Sequence, residues 1–140
     1  HQPPGYESGD SRVGQLIRGL YGTKQAGRIW NKARHKTLTD TGFKRLIHDQ
    51  CLYIKGDIGD KENFILLAIY VDDILLFNHP EGKAAADAVV ATLQEKYTVK
   101  DMGSAKRYIG IQMTRDLELG KMTLSQEPMI NDILERFQMN

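Results

Sequence analysis

With 140 residues, 41% of them hydrophobic and 26% charged, this chain has the composition of an ordinary folded domain rather than of a disordered tail or a membrane span. Net charge is only +1, so no overall polyanion or polycation character decides its partners. A single cysteine, Cys51, excludes an internal disulfide framework and suits a reducing compartment.

The first ten residues, HQPPGYESGD, show neither a basic nor an apolar leader segment, and no secretory signal is expected there. Because the chain opens on His1 and not on methionine, it is expected to be a piece of something longer. QPPG (2–5) reads as a turn, since two prolines and a glycine fit neither a helix interior nor a central strand. VGQLIRGLYG (13–22) holds too many glycines for a firm helix and is left as a short helix or loop. KQAGRIWNKARHKTLTDTG (24–42) is more decisive: Ala26, Ile29, Trp30, Ala33 and Thr37 recur at helical spacing, and Gly42 is placed as a C-terminal cap. Seven basic residues and no acidic one lie between Ser11 and Lys36. Such a stretch either attracts a polyanion or is simply a solvated helix face.

Cys51–Lys55 reads as a strand, followed by the turn-rich GDIGDKEN. The next segment, ILLAIYVDDILLF (65–77), sets eleven apolar or aromatic residues around two adjacent carboxylates, Asp72 and Asp73. It has no helix start signal and is rich in Ile, Leu and aromatics, which predicts two strands with the aspartates at the bend of a hairpin. Burying ionised carboxylates without partners costs several kcal/mol, so a divalent cation is one explanation for the pair; an ordinary polar turn in water is the other. A helix from about Lys83 to Tyr97 follows, with Ala86, Val89, Val90, Leu93 and Tyr97 on its inner face. Arg107–Thr114 and Lys121–Leu124 read as a further hairpin around Asp116–Gly120. Ser125 is the expected N-cap of a last helix carrying Met129, Ile130, Ile133, Leu134 and Phe137. The predicted fold class is α+β, a helix, hairpin, helix, hairpin, helix order in one domain over residues 1–140. The four histidines show no metal-ligand spacing, and Cys51 reads as a small core residue.

Several short boxes stand in a fixed order: Gln2 to Glu7 (QPPGYE), Leu20 to Trp30 (LYGTKQAGRIW), Tyr70 to Asp73 within IYVDDILLF, then KDMG, YIGI and Leu124 to Gln126. In these the chain resembles the reverse transcriptase domain of copia-type long-terminal-repeat retrotransposons, across nearly its whole length. Thr23 and Gly27 depart from the pattern, which usually has leucine and proline there. The resemblance implies a partial polymerase palm, an antiparallel sheet with an Asp-Asp hairpin and helices packed on one face. It implies RNA-directed DNA polymerase chemistry with Mg²⁺ (or Mn²⁺) held by Asp72 and Asp73, the catalytic carboxylates. Lys24, Gln25 and Arg28 match the helix set against incoming nucleotide and template, and Tyr70 matches the residue beneath the primer terminus, although on the sequence alone it is equally a core aromatic. Tyr108, Ile109 and Gly110 match a hairpin that grips the primer. Implied partners are an RNA or DNA template–primer, deoxynucleotide triphosphates and the rest of a retrotransposon polyprotein, with no membrane; the implied location is intracellular, in cytoplasm, virus-like particles or nucleus. The family's first catalytic aspartate belongs upstream of Gln2, so the expectation is a palm-centred fragment that does not polymerise alone. A nucleic-acid-binding remnant and an inert degenerate fragment are the alternatives.

Overall fold

The computed structural model describes Gly5, Gly9, Gln15, Ile17 and residues 19–139. Residues 2–4 of the turn expected at 2–5, and Val13, Gly14, Leu16 and Arg18 of the segment 13–22, lie outside the described residues. Two compact units divide the chain at Thr41/Gly42, and the architecture is mixed helix and antiparallel sheet, as the α+β expectation has it.

The first unit is dominated by helix α1, Ala26–Asp40. A turn launches it: the Thr23 amide and hydroxyl both donate to the Leu20 carbonyl, at 3.2 and 2.8 Å. Its end follows the glycine rule, with Thr41 as C-cap and Gly42 left-handed at φ 90. The buried face is Arg34, Thr37 and Leu38, whereas Ile29 and Ala33, expected inside, are exposed. The expected stripe was set by apolarity alone. Arg34 belongs to the inward row one residue along from Ala33, and its long aliphatic stem lets it lie there. Lys36 is paired with Asp40 one turn later, 3.1 Å away on the surface.

The second unit holds two sheets and two helices. Strands β1 (Lys44–Arg45), β2 (Leu52–Lys55), β3 (Ile65–Tyr70) and β4 (Asp73–Asn78) pair antiparallel in that order. A 3₁₀ turn (Pro80–Gly82) leads into α2, Lys83–Lys96, which lies against β4. The core is laid out by the two-residue alternation of β3: Ile65, Leu67 and Ile69 are fully buried, while Leu66 and Ala68 between them are half-buried. Register places Leu67 between Tyr53 of β2 and Leu76 of β4. Phe43 and Tyr53 join this core, as do Ala86, Val89 and Leu93 of α2, while Val90 and Tyr97, expected on the same inner face, are half-buried.

The loop between β2 and β3 is built on Asp60. Its Oδ1 accepts from the Glu62 and Asn63 amides at 3.0 Å each, and its Oδ2 from the Asn63 side chain at 2.9 Å. These bonds to the charged form, the Asn63 side chain foremost, hold the carboxyl below the usual aspartate range. The turn is therefore firm above that range and loosens as pH falls through the lowered value. Gly56 (φ 76) closes the same loop: a methyl group there would stand 2.7 Å from the Asn63 carbonyl oxygen. Backbone cannot yield as a side-chain tip can, so Gly56→Ala should cost about 2 kcal/mol in urea unfolding. Gly59→Ala, with open space around it, should be near neutral and serves as the control.

The second sheet departs from the expected single hairpin. Arg107–Thr114 is not one strand but β5 (Arg107–Tyr108) and β6 (Ile111–Asp116), folded at Ile109–Gly110; β7 (Lys121–Ser125) completes it. Both turn residues are left-handed, at φ 45 and 84. Glycine accommodates this freely, but isoleucine in such a turn hides it from a sequence reading. The last helix, α3, runs Glu127–Arg136, capped by Gln126 rather than Ser125, whose hydroxyl nevertheless accepts from the Glu127 amide at 3.1 Å. None of α3 is buried; Met129, Ile130, Ile133 and Phe137 face solvent.

Candidate active site

The hydrophobic strands of the hairpin end in two charges. Tyr70 and Asp73 are the last pair of the β3–β4 ladder, so Val71 and Asp72 form a two-residue turn and Asp73 opens β4. Both carboxylates are exposed, which removes the burial cost that their setting in the sequence suggests. Tyr70 and Val71 beside the pair are exposed as well, and burial begins at Ile69 on β3.

Val71 has φ 52. A left-handed β-branched residue is a genuine outlier, and two-residue hairpin turns with positive φ at the first central position favour glycine. Strain of this kind persists where the surroundings over-determine it, here the ladder from Ile65↔Asn78 to Tyr70↔Asp73. Valine in this conformation costs about 2 kcal/mol, and glycine returns about half of that as unfolded-chain entropy. Val71→Gly is therefore expected to raise stability by about 1 kcal/mol in a urea melt; a lower midpoint would show that the valine side chain contributes more than its backbone costs.

Asp72 and Asp73 together present up to four carboxylate oxygens at the turn. Two adjacent carboxylates suit Mg²⁺, which takes one or two such ligands and keeps water or phosphate oxygens in its other positions. Among the described residues no group of three His, Cys, Asp or Glu side chains is assembled to hold a metal. Asp72 and Asp73 alone fall short of such a group.

Tyr70, beside the turn, is exposed on the face of β3 opposite Leu67 and Ile69. Tyr108 closes β5 immediately before the Ile109–Gly110 turn, pairs with Ile111 across it, and donates its hydroxyl to the Ala68 carbonyl on β3 at 3.1 Å. The structure therefore brings the turn at Ile109–Gly110 and the strand leading to Asp72 into one connected assembly. Lys24, Gln25 and Arg28 belong to the first unit: Gln25 is the N-cap residue of α1 and makes no side-chain capping bond, Arg28 is in its first turn, and all three are exposed. Sequence reading missed Arg34 as a buried member of α1 and missed the strain at Val71. The first carried no signal beyond its place on the helical wheel; the second follows once a two-residue turn is recognised.

Over residues 1–140 the chain matches the family described as reverse transcriptase (RNA-dependent DNA polymerase). It is 34% identical over 140 residues to a retrovirus-related Pol polyprotein from transposon TNT 1-94 of Nicotiana tabacum, covering 99% of this chain and 10% of that protein. It is 32% identical over 141 residues to a putative transposon Ty5-1 protein of Saccharomyces cerevisiae, covering 99% of this chain and 44% of that one. A Pol polyprotein from transposon RE1 of Arabidopsis thaliana is 30% identical over 140 residues, with 99% and 9% covered. No solved structure matches. The chain belongs to the reverse transcriptase family, among the copia-type transposon sequences that its motifs resemble. It spans between about a tenth and under half the length of these relatives.

Proposed function

We propose that this chain is the palm-centred part of a retrotransposon RNA-directed DNA polymerase, with Asp72 and Asp73 as its metal-holding catalytic carboxylates. The observation that carries this reading is the exposed carboxylate pair at the strained tip of a hairpin whose β3 strand buries Ile65, Leu67 and Ile69. The reaction class is templated nucleotidyl transfer, in which a primer 3′-hydroxyl joins the α-phosphate of a deoxynucleotide and pyrophosphate leaves. Mg²⁺ or Mn²⁺, when bound, supplies charge stabilisation to the attacking and leaving oxygens.

The chain's own residues position the reactants. Asp72 and Asp73 hold the cation from a rigid ladder, so little reorganisation is needed on binding. Tyr70 offers an exposed ring beside the turn for the sugar of the primer terminus. Arg28 and Lys24 offer phosphate contacts, and Gln25 an amide suited to a base edge. Gly110 lets primer backbone approach the second sheet closely. Its partners in this reading are a template–primer, deoxynucleotide triphosphates and the remainder of a transposon polyprotein, inside the cell.

The test is divalent-cation dependence of deoxynucleotide binding to the chain, with primer–template present, in wild type and Asp72→Asn. Binding that requires Mg²⁺ and is lost in Asp72→Asn supports the reading. Salt-sensitive duplex binding indifferent to both Mg²⁺ and Asp72 would mark a non-catalytic binding remnant instead. A chain without a cooperative thermal transition would mark an inert fragment.

A further inference from the structure

We propose that Tyr108 is a positioning residue, whose hydroxyl fixes the Ile109–Gly110 turn of one sheet at a set place relative to the Asp72–Asp73 hairpin of the other. This rests on the polymerase reading for its purpose, but not for its geometry.

The bond crosses 40 residues of sequence, from the half-buried Tyr108 hydroxyl to the Ala68 carbonyl at 3.1 Å. Each end is informative. Ala68 is in the middle of β3, in register with Leu52 and Leu75 and flanked by the buried Leu67 and Ile69, so its carbonyl is a rigid anchor. That oxygen has two lone pairs and can take a phenol in addition to a ladder bond. Two residues of extended chain, roughly 7 Å, separate Ala68 from Tyr70, which pairs with Asp73 at the base of the Val71–Asp72 turn.

At the other end, Tyr108 is the last residue of a two-residue strand, too short to hold its own place by ladder bonds alone. Ile109 and Gly110, both left-handed, make a two-residue turn closed by the Tyr108↔Ile111 pair. A turn of that kind is internally stiff, so fixing Tyr108 fixes the turn. The remainder of this sheet gives little help: β6 is half-buried at best, and Met122 and Leu124 of β7 are exposed. With so little apolar surface covering the sheet, one bond to a rigid strand weighs heavily in its placement. The distance from the backbone at Ile109–Gly110 to the carboxylates is then set by a hydroxyl rather than by packing. In a polymerase this is the distance between the grip on the primer and the metal-holding pair.

Tyr108→Phe keeps the ring and deletes the bond. Two readouts on the 140-residue chain separate the claims: amide hydrogen exchange at Ile109–Ile111, and fluorescence of a 2-aminopurine at the primer 3′ end of a bound template–primer. Exchange at the turn is expected to rise about fivefold in the variant, with the β3–β4 ladder unchanged. The fluorescence change at the primer terminus is expected to be lost in the variant. Unaltered exchange at Ile109–Ile111 overturns the positioning role whatever the nucleic acid does. Faster exchange with an unaltered terminal signal overturns its link to the primer. A wild-type chain that binds no duplex at all removes the polymerase reading instead, and exchange alone then decides whether Tyr108 holds the turn. Should Tyr108→Phe not fold, a fluorinated tyrosine at 108, which loses its donor proton as pH rises, repeats the test within one folded sample, with exchange at Ile109–Ile111 taken relative to the β3–β4 ladder amides because all amides exchange faster as pH rises.

Discussion

Leu67→Ala is expected to destabilise the chain by about 3 kcal/mol. Leu67 is wholly buried, sits at the centre of β3, and meets Tyr53 and Leu76 in register on either side. Removing three carbons there leaves a void that two paired strands cannot close without breaking their ladders, so transfer and cavity costs add. Leu66→Ala removes the same atoms from the half-buried face next door and should cost less than half as much. Equal costs from the two variants in urea unfolding would mean that β3 does not bury one face as its alternation indicates.

Asp72→Asn should weaken Mg²⁺-dependent deoxynucleotide binding by at least tenfold, equivalent to about 1.4 kcal/mol, while leaving thermal stability nearly unchanged. The asparagine keeps the shape of the turn residue but removes one of the two anionic donors that hard cations require. Exposure is what separates the two readouts: Asp72 takes no part in the core, so its charge matters to a ligand and not to the fold. If anything, relieving repulsion from Asp73 beside it should raise the melting temperature slightly. A variant that binds nucleotide as wild type does, with the same metal requirement, would remove Asp72 from the role proposed for it.

Much of the fold could be read from periodicity. Most of the inner face of α2 follows from 3.6-residue spacing, and the paired strands around Asp72 from an apolar run rich in Ile, Leu and aromatics without a helix start signal. The misses have physical causes. Ile109 occupies a left-handed turn position that isoleucine seldom takes, so a continuous strand was the natural reading of Arg107–Thr114. In α1 the buried row includes Arg34, an inclusion that apolarity cannot signal because the residue is charged. The spacing of α3 was correct as a helix, yet spacing says nothing about whether a partner covers the apolar side, and here that side is open to solvent. β1 is two residues long and leaves no pattern at all.

For the candidate site, the ordered boxes led to the family, which the comparisons then established. They could not convey the geometry. That Asp73 opens a strand while Asp72 occupies the turn, that Val71 bears the strain between Tyr70 and Asp72, and that Tyr108 reaches the Ala68 carbonyl are consequences of register and three-dimensional proximity.

The central claim is that the β3–β4 tip is a cation site for nucleotide chemistry, and paramagnetic broadening by Mn²⁺ tests it most directly. Amide resonances would be followed in the chain with deoxynucleotide triphosphate and template–primer present. Saturable broadening confined to Val71, Asp72, Asp73 and their immediate neighbours, absent in Asp72→Asn, is the predicted result. Broadening that never saturates, or that centres on another part of the chain, would contradict the assignment of this hairpin as the catalytic one.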